Sequence, residues 1–236
     1  MARELIVVIP VFNEEQCVES VLRDWTATLD RSGIDYGVLV LNDGSTDRTL
    51  DAIQKHSAEH GAGRVEVVTH ANRGHGQTCL AGYRIAYQRG IPWVFQIDSD
   101  GQCDPAYFPA VWAKRADYDV VYGHRATRRD GWKRILASTL VRLVVRVSSG
   151  IDCTDANVPY RLMRTEKLPS LVESIPPNFD LANIALAVQI KRAGWRECAI
   201  PIVFRARTGG EPSVPLLRFA GKAMELTAEL RHLGQP

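Results

Sequence analysis

The apolar residues of this chain fall into short, nearly continuous runs, and each run stops in a cluster of small polar residues. Leu5-Ile6-Val7-Val8-Ile9-Pro10 and the stretches 36–41, 64–69 and 93–98 have the length and the β-branched and aromatic content of buried strands. Between them the period lengthens to that of a helix. Residues 15–29 put Val18, Val21, Leu22 and Trp25 on one face, a second helix capped by Ser45 or Thr46 turns Leu50 and Ile53 inward, and a third runs to Gln88. Strand–helix–strand repeated three times through short connections predicts an α/β fold with a mostly parallel sheet flanked by helices. Further along, a fifth strand is expected at 120–125 and a late strand at 195–204. Helices are expected at 132–147, 181–192 and 216–233.

Parallel strands deliver their exit loops to one edge of the sheet, where open α/β sheets bind ligands. Phe12 to Glu14, Asp43, Asn72 to Gly76, and Asp98 to Gln102 should therefore converge. The last exit carries the most chemistry. Trp93-Val94-Phe95-Gln96-Ile97 ends in Asp98-Ser99-Asp100-Gly101-Gln102, whose Asp98, Asp100 and Gln102 are hard oxygen ligands suited to Mg²⁺ or Mn²⁺ shared with a substrate's phosphates. A polar turn accounts for Asp-x-Asp alone equally well. Gly74-x-Gly76 lacks the third glycine of a dinucleotide fingerprint, because Cys79 stands there. No Walker A loop, H-E-x-x-H or G-x-S-x-G occurs.

Taken together, Ile9-Pro10-Val11-Phe12-Asn13-Glu14-Glu15, Leu41-Asn42-Asp43-Gly44-Ser45-Thr46-Asp47, Asn72-Arg73-Gly74-His75-Gly76 and Asp98-Ser99-Asp100-Gly101-Gln102 resemble family 2 glycosyltransferases of the GT-A fold. The Asp-x-Asp-x-Gln form resembles the branch of dolichyl-phosphate mannose synthase and bacterial polyprenyl-phosphate hexosyltransferases. The resemblance spans about residues 4–214 and implies a Rossmann-like GT-A domain filling the chain. Residues 1–123 would be its nucleotide-sugar half and 124–236 its acceptor half. It further implies that Pro10, Phe12, Glu14, Asp43, Asn72, Gly74 and Ser99 line the donor pocket. Asp98, Asp100 and Gln102 would bind the metal bridging a UDP- or GDP-hexose diphosphate. Phe12 stands where tyrosine is commoner, and Asn42 where the family often has aspartate.

Composition adds bounds. The chain has 236 residues, is 45 % hydrophobic and carries a net charge of +2, so its charge selects no nucleic-acid partner. Five scattered cysteines without a C-x-x-C pair read as reduced thiols. No signal peptide and no membrane span are expected, which predicts a cytoplasmic protein. The distribution of charge says more. Arg125, Arg128, Arg129, Lys133, Arg134, Arg142 and Arg146 face only Asp130, and 132–147 reads as a basic amphipathic helix able to lie on the inner face of a membrane. A core helix with a solvated basic face is the plainer alternative.

On the acceptor side, Thr154-Asp155-Ala156-Asn157-Val158-Pro159-Tyr160-Arg161 resembles the family's Asp-x-x-x-Gly-Phe-Arg segment, with Val158-Pro159-Tyr160 replacing its centre. Arg205-Ala206-Arg207-Thr208-Gly209-Gly210-Glu211-Pro212-Ser213 resembles a phosphate-closing loop. The resemblance implies inverting displacement at the anomeric carbon, with Asp155, Arg125, Arg161 and Arg207 at the reaction centre. A polyprenyl phosphate is already anionic and needs no strong base, and arginines including Arg128 and Arg134 would fork onto it. A hydroxyl of a soluble acceptor would need one, for which Asp155 and Asp180 are the candidates. A nucleotidyltransferase would carry a glycine-rich arginine loop after the first strand, and a mere binding module would not need three metal ligands.

Overall fold

The computed structural model describes residues 3–60, 63–125, 139, 142–153, 157–177, 179, 181–206 and 230, with only the backbone of Arg125. In chain order these form β1 (Leu5–Val11), α1 (Val18–Arg31), β2 (Tyr36–Asn42), α2 (Thr49–Glu59), β3 (Val65–Thr69), α3 (His75–Gln88), β4 (Trp93–Gln96), α4 (Phe108–Ala113) and β5 (Val120–Arg125). A helical stretch over 142–149 (α5), β6 (Arg161–Arg164), α6 (Leu168–Glu173), α7 (Ala182–Arg192) and β7 (Glu197–Ile202) follow. The expected helix at 216–233 lies outside the described residues apart from Leu230.

The strands make one sheet in the order β3-β2-β1-β4-β6-β5-β7. β1 lies parallel between β2 and β4 and all seven of its residues are buried. Its side chains alternate between two cores. Leu5, Val7, Ile9 and Val11 join Val21, Leu22 and Trp25 of α1, while Ile6 and Val8 join Leu80 and Tyr83 of α3. Both faces are apolar because both are covered by helices. Under α1 the Trp25 ring meets Phe95 at 5.4 Å, Phe108 at 6.1 Å and Tyr160 at 5.8 Å. Tyr160, part of the unusual Val158-Pro159-Tyr160 segment, is thus a fully buried packing residue.

Two sequence expectations need adjusting. The first helix begins at Val18 because the backbone of Glu14 and Glu15 bonds to the neighbouring loop. More consequentially, one strand of the mostly parallel sheet is reversed, although β5 and β7 beyond it again pair in parallel. β6 runs antiparallel to both β4 and β5, and four residues bounded by arginines gave no alternating pattern to announce it.

Asp119, at the start of β5, clamps the sheet end remote from the exit loops. It is 2 % exposed, and Arg196 Nη2 lies at 3.2 Å, Lys167 Nζ at 3.0 Å and Arg164 Nε at 3.5 Å. Burial by itself would raise its pKa. The hydrogen bonds from Arg196 and Lys167 outweigh burial and hold the carboxyl well below the ordinary range. A depressed folded-state pKa means stability that is present above the unfolded value and lost as pH falls toward the folded one. Asp119→Ala should therefore cost about 2 kcal/mol in urea unfolding at pH 7. The gap to wild type should hold to about pH 5 and narrow progressively as pH falls below about 4.

Candidate active site

The exit loops of β1 and β2 are stitched backbone to side chain. Asn13, at a left-handed φ of 54°, donates its N–H to Ser45 Oγ at 3.0 Å and accepts from Thr46 N at 2.8 Å through Oδ1. Glu14 N donates to Thr49 Oγ1 at 2.8 Å, and Arg48 N donates to Glu15 Oε2 at 3.0 Å. This stitching leaves the Phe12 ring 45 % exposed at the edge, where an aromatic face can stack on a planar ligand.

Asp43 extends the arrangement to the β3 exit. Its carboxylate accepts from Arg73 N at 2.7 Å and Gly74 N at 3.0 Å, and His70 Nδ1 lies at 3.3 Å. Gly44 takes φ +73°, and a Cβ there would lie 2.9 Å from Asn72 N, so only glycine fits the crossing of these loops. Asn42 Oδ1 accepts from Ser45 N at 3.1 Å. The β4 exit is joined through Cys17, whose thiol sulfur lies 2.9 Å from Glu14 Oε2 and 3.2 Å from the Ser99 carbonyl oxygen.

Asp98 and Asp100 stand half-buried on either side of the buried Ser99. Asp100 Oδ1 accepts from Gln102 N at 3.0 Å. Gln102 gives its amide to the Arg205 carbonyl at 3.3 Å, and Arg205 N donates back to the Gln102 carbonyl at 2.9 Å. The Arg205 guanidinium reaches Asp24 and Asp104, each at 2.8 Å, and so ties the chain after β7 to this exit. His75, in the first turn of α3, places Nε2 3.5 Å from Asp98 Oδ1.

The sequence-predicted residues Pro10, Phe12, Glu14, Asp43, Asn72, Gly74, Asp98, Ser99, Asp100 and Gln102 thus meet on one edge. Their exposures differ. Phe12 and Asn72 are open, Asp98, Asp100 and Gln102 partly open, whereas Glu14, Asp43 and Ser99 are buried. The Asp43 carboxylate is engaged with the β3 exit loop and acts as its anchor.

Arg161 was expected among the groups meeting substrate. It is fully buried in β6, donates to the carbonyls of Asn183 and Val158 at 3.3 Å each, and sits over the Tyr122 ring. That places it inside the fold, opposite Gln96 at the exit end of β4 and beneath the open surface. The side chain of Arg125, and Arg128, Arg134, Asp155, Asp180 and Arg207, lie outside the described residues.

Among the described residues, no group of three His, Cys, Asp or Glu side chains stands close enough to hold a metal by itself. Asp98 and Asp100 offer two hard carboxylates, the number with which proteins hold Mg²⁺ or Mn²⁺ jointly with substrate phosphates. Sequence reasoning missed His75 and Arg205. The four-residue spacing of His75, Cys79 and Tyr83 on α3 was the available signal for the first.

The family model for glycosyl transferase family 2 matches residues 6–178. The chain belongs to glycosyl transferase family 2. Among its relatives, the undecaprenyl-phosphate 4-deoxy-4-formamido-L-arabinose transferase of Aeromonas hydrophila is 32 % identical over 167 residues, 70 % of this chain and 50 % of that protein. The enzyme of the same name from Edwardsiella ictaluri is 29 % identical over 221 residues, 93 % of this chain and 66 % of that protein. The chain therefore spans about half to two thirds of the relatives it matches. A crystal structure of glucosyl-3-phosphoglycerate synthase from Mycobacterium tuberculosis, in complex with Mn²⁺, UDP and phosphoglyceric acid, superposes with a TM-score of 0.73 at 21 % identity. The match covers 99 % of this chain and 80 % of that one. The GT-A fold expected of a family 2 glycosyltransferase is the fold of this chain.

Asp43→Ala strips two loop N–H groups of their acceptor. The expected result is a loss of about 2–4 kcal/mol in urea unfolding.

Proposed function

We propose that this glycosyltransferase moves a hexose from a nucleoside-diphosphate sugar to a polyprenyl phosphate, with a divalent cation at Asp98 and Asp100. The observation that carries the reading is the convergence of four strand exits on one edge, with an exposed aromatic ring at one end and two carboxylates at the other. Phe12 would stack on the base, and the β2 and β3 exits anchored by Asp43 would flank the ribose. Asp98, Asp100 and the Gln102 side chain would hold Mg²⁺ or Mn²⁺ against the diphosphate. Once bound, the cation supplies charge stabilisation to the leaving nucleoside diphosphate. The acceptor oxygen bonds to the anomeric carbon as its bond to the diphosphate breaks, with inversion.

The phosphate acceptor is supported by the names of the undecaprenyl-phosphate relatives. An anionic acceptor asks for cations rather than a base, and Arg125, Arg128, Arg134, Asp155 and Arg207 remain proposals for that half of the site. Peripheral membrane contact fits α5, where Leu143 and Val147 are 55 % and 69 % exposed one turn apart beside Arg142 and Arg146. No described helix is long and apolar enough to cross a membrane. A soluble acceptor is the second reading, favoured by the phosphoglyceric acid in the structural neighbour. It would need a base, for which Asp155 and Asp180 are the proposals.

The test is a screen of UDP- and GDP-hexoses against polyprenyl phosphate in anionic vesicles, with and without Mn²⁺, scored as labelled sugar in the organic phase. Mn²⁺-dependent labelling that falls roughly 100-fold or more in Asp100→Ala is expected. Donor turnover with the label confined to water-soluble product would move the acceptor to the second reading.

A further inference from the structure

One face of α3 presents His75, Cys79 and Tyr83 to the end of β4, and Asn183 in the first turn of α7 closes the group. Six side chains form a loop. Asp98 Oδ1 lies 3.5 Å from His75 Nε2 and 3.4 Å from Gln96 Nε2. Tyr83 Oη lies 2.7 Å from Gln96 Oε1 and 3.3 Å from Asn183 Oδ1. Asn183 Nδ2 lies 3.9 Å from Cys79 Sγ, which is 3.6 Å from His75 Nε2. Cys79, Tyr83, Gln96 and Asn183 are all at most 2 % exposed.

Burying four polar groups is costly unless each is paired, and apolar side chains would fill the same space without that demand. Their pairing has a direction. Burial first of all raises the Tyr83 pKa and keeps its hydroxyl protonated. That single proton faces two acceptor oxygens, and the 2.7 Å contact to Gln96 takes it. Asn183 is then satisfied with its amide turned over, Nδ2 donating to the Tyr83 oxygen and Oδ1 accepting from the Cys79 thiol. Every donor now points the same way, from Cys79 through Asn183, Tyr83 and Gln96 to Asp98. With Oε1 held by Tyr83, the Gln96 amide must turn its N–H toward the Asp98 carboxylate.

We infer that Tyr83, Gln96 and Asn183 are positioning residues that hold the Asp98 carboxylate in one orientation for the cation and tie α7, on the acceptor half, to the donor site. The inference rests on the reading of Asp98 as a cation ligand. Arg161 finds its place in it, since it fixes the Asn183 carbonyl from β6 at 3.3 Å.

The experiment is calorimetric titration of UDP and GDP with and without Mn²⁺, on wild type, Asp98→Ala, Tyr83→Phe, Gln96→Met and the double variant Tyr83→Phe/Asp98→Ala, with melting temperatures alongside. The readout is the ratio of metal-free to metal-loaded Kd. A purely structural role would weaken binding in both conditions and leave the ratio alone. Tyr83→Phe and Gln96→Met are each expected to shrink the ratio roughly 10-fold or more, the usual effect of losing a partner behind a metal ligand. Tyr83→Phe should add nothing once Asp98 is alanine. A wild-type ratio that Asp98→Ala abolishes but Tyr83→Phe and Gln96→Met preserve overturns the relay alone. A wild-type ratio of one overturns the cation reading and the relay with it.

Discussion

The parallel placement of β1 between β2 and β4 constrains everything at the site. Three parallel strands in register must release their chains at the same edge, and each release exposes backbone N–H groups that need partners. Here the partners are side chains of the adjacent loop. Asn13, Asp43, Asp47 and Thr49 each accept from backbone N–H groups, and the strained φ of Asn13 is held by its two bonds to the β2 exit. The edge is therefore organised before any ligand arrives, the condition under which fixed dipoles and charges act most effectively on a reaction.

Polar residues on this edge divide their labour in a way a motif does not reveal. Asp43, Asn42 and Glu14 are buried and hold loops, while Phe12, Asn72, Asp98 and Asp100 face outward to differing degrees. The buried set explains why the exits sit close enough to share one ligand. The outward set supplies what a nucleoside diphosphate would meet, a flat ring and hard oxygens.

Strand and helix placement was largely legible, because β1 to β4 are apolar runs and α1 carries strong periodicity. The convergence of the four exits followed from parallel topology alone. Three things were not legible. β6 is too short and too basic at its ends to read as a strand, and its antiparallel course is a tertiary outcome of pairing with β4 and β5. Arg161 was expected at the reaction centre because its segment resembles the family's acceptor motif, yet it is buried against the carbonyls of Val158 and Asn183 and the Tyr122 ring. Tyr160 read as part of an altered acceptor motif, whereas its ring completes the Trp25 cluster. Each depended on partners far away in sequence.

Hydrogen–deuterium exchange upon adding UDP or GDP with Mn²⁺ tests the central claim most directly, because it reports on every exit loop at once. The account predicts new protection in the stretches 12–15, 42–49, 70–76 and 98–103, with the remainder of the sheet unchanged. Protection confined to the opposite edge, in the cavity lined by Asp35, Tyr36, His60 and Arg64, would contradict it.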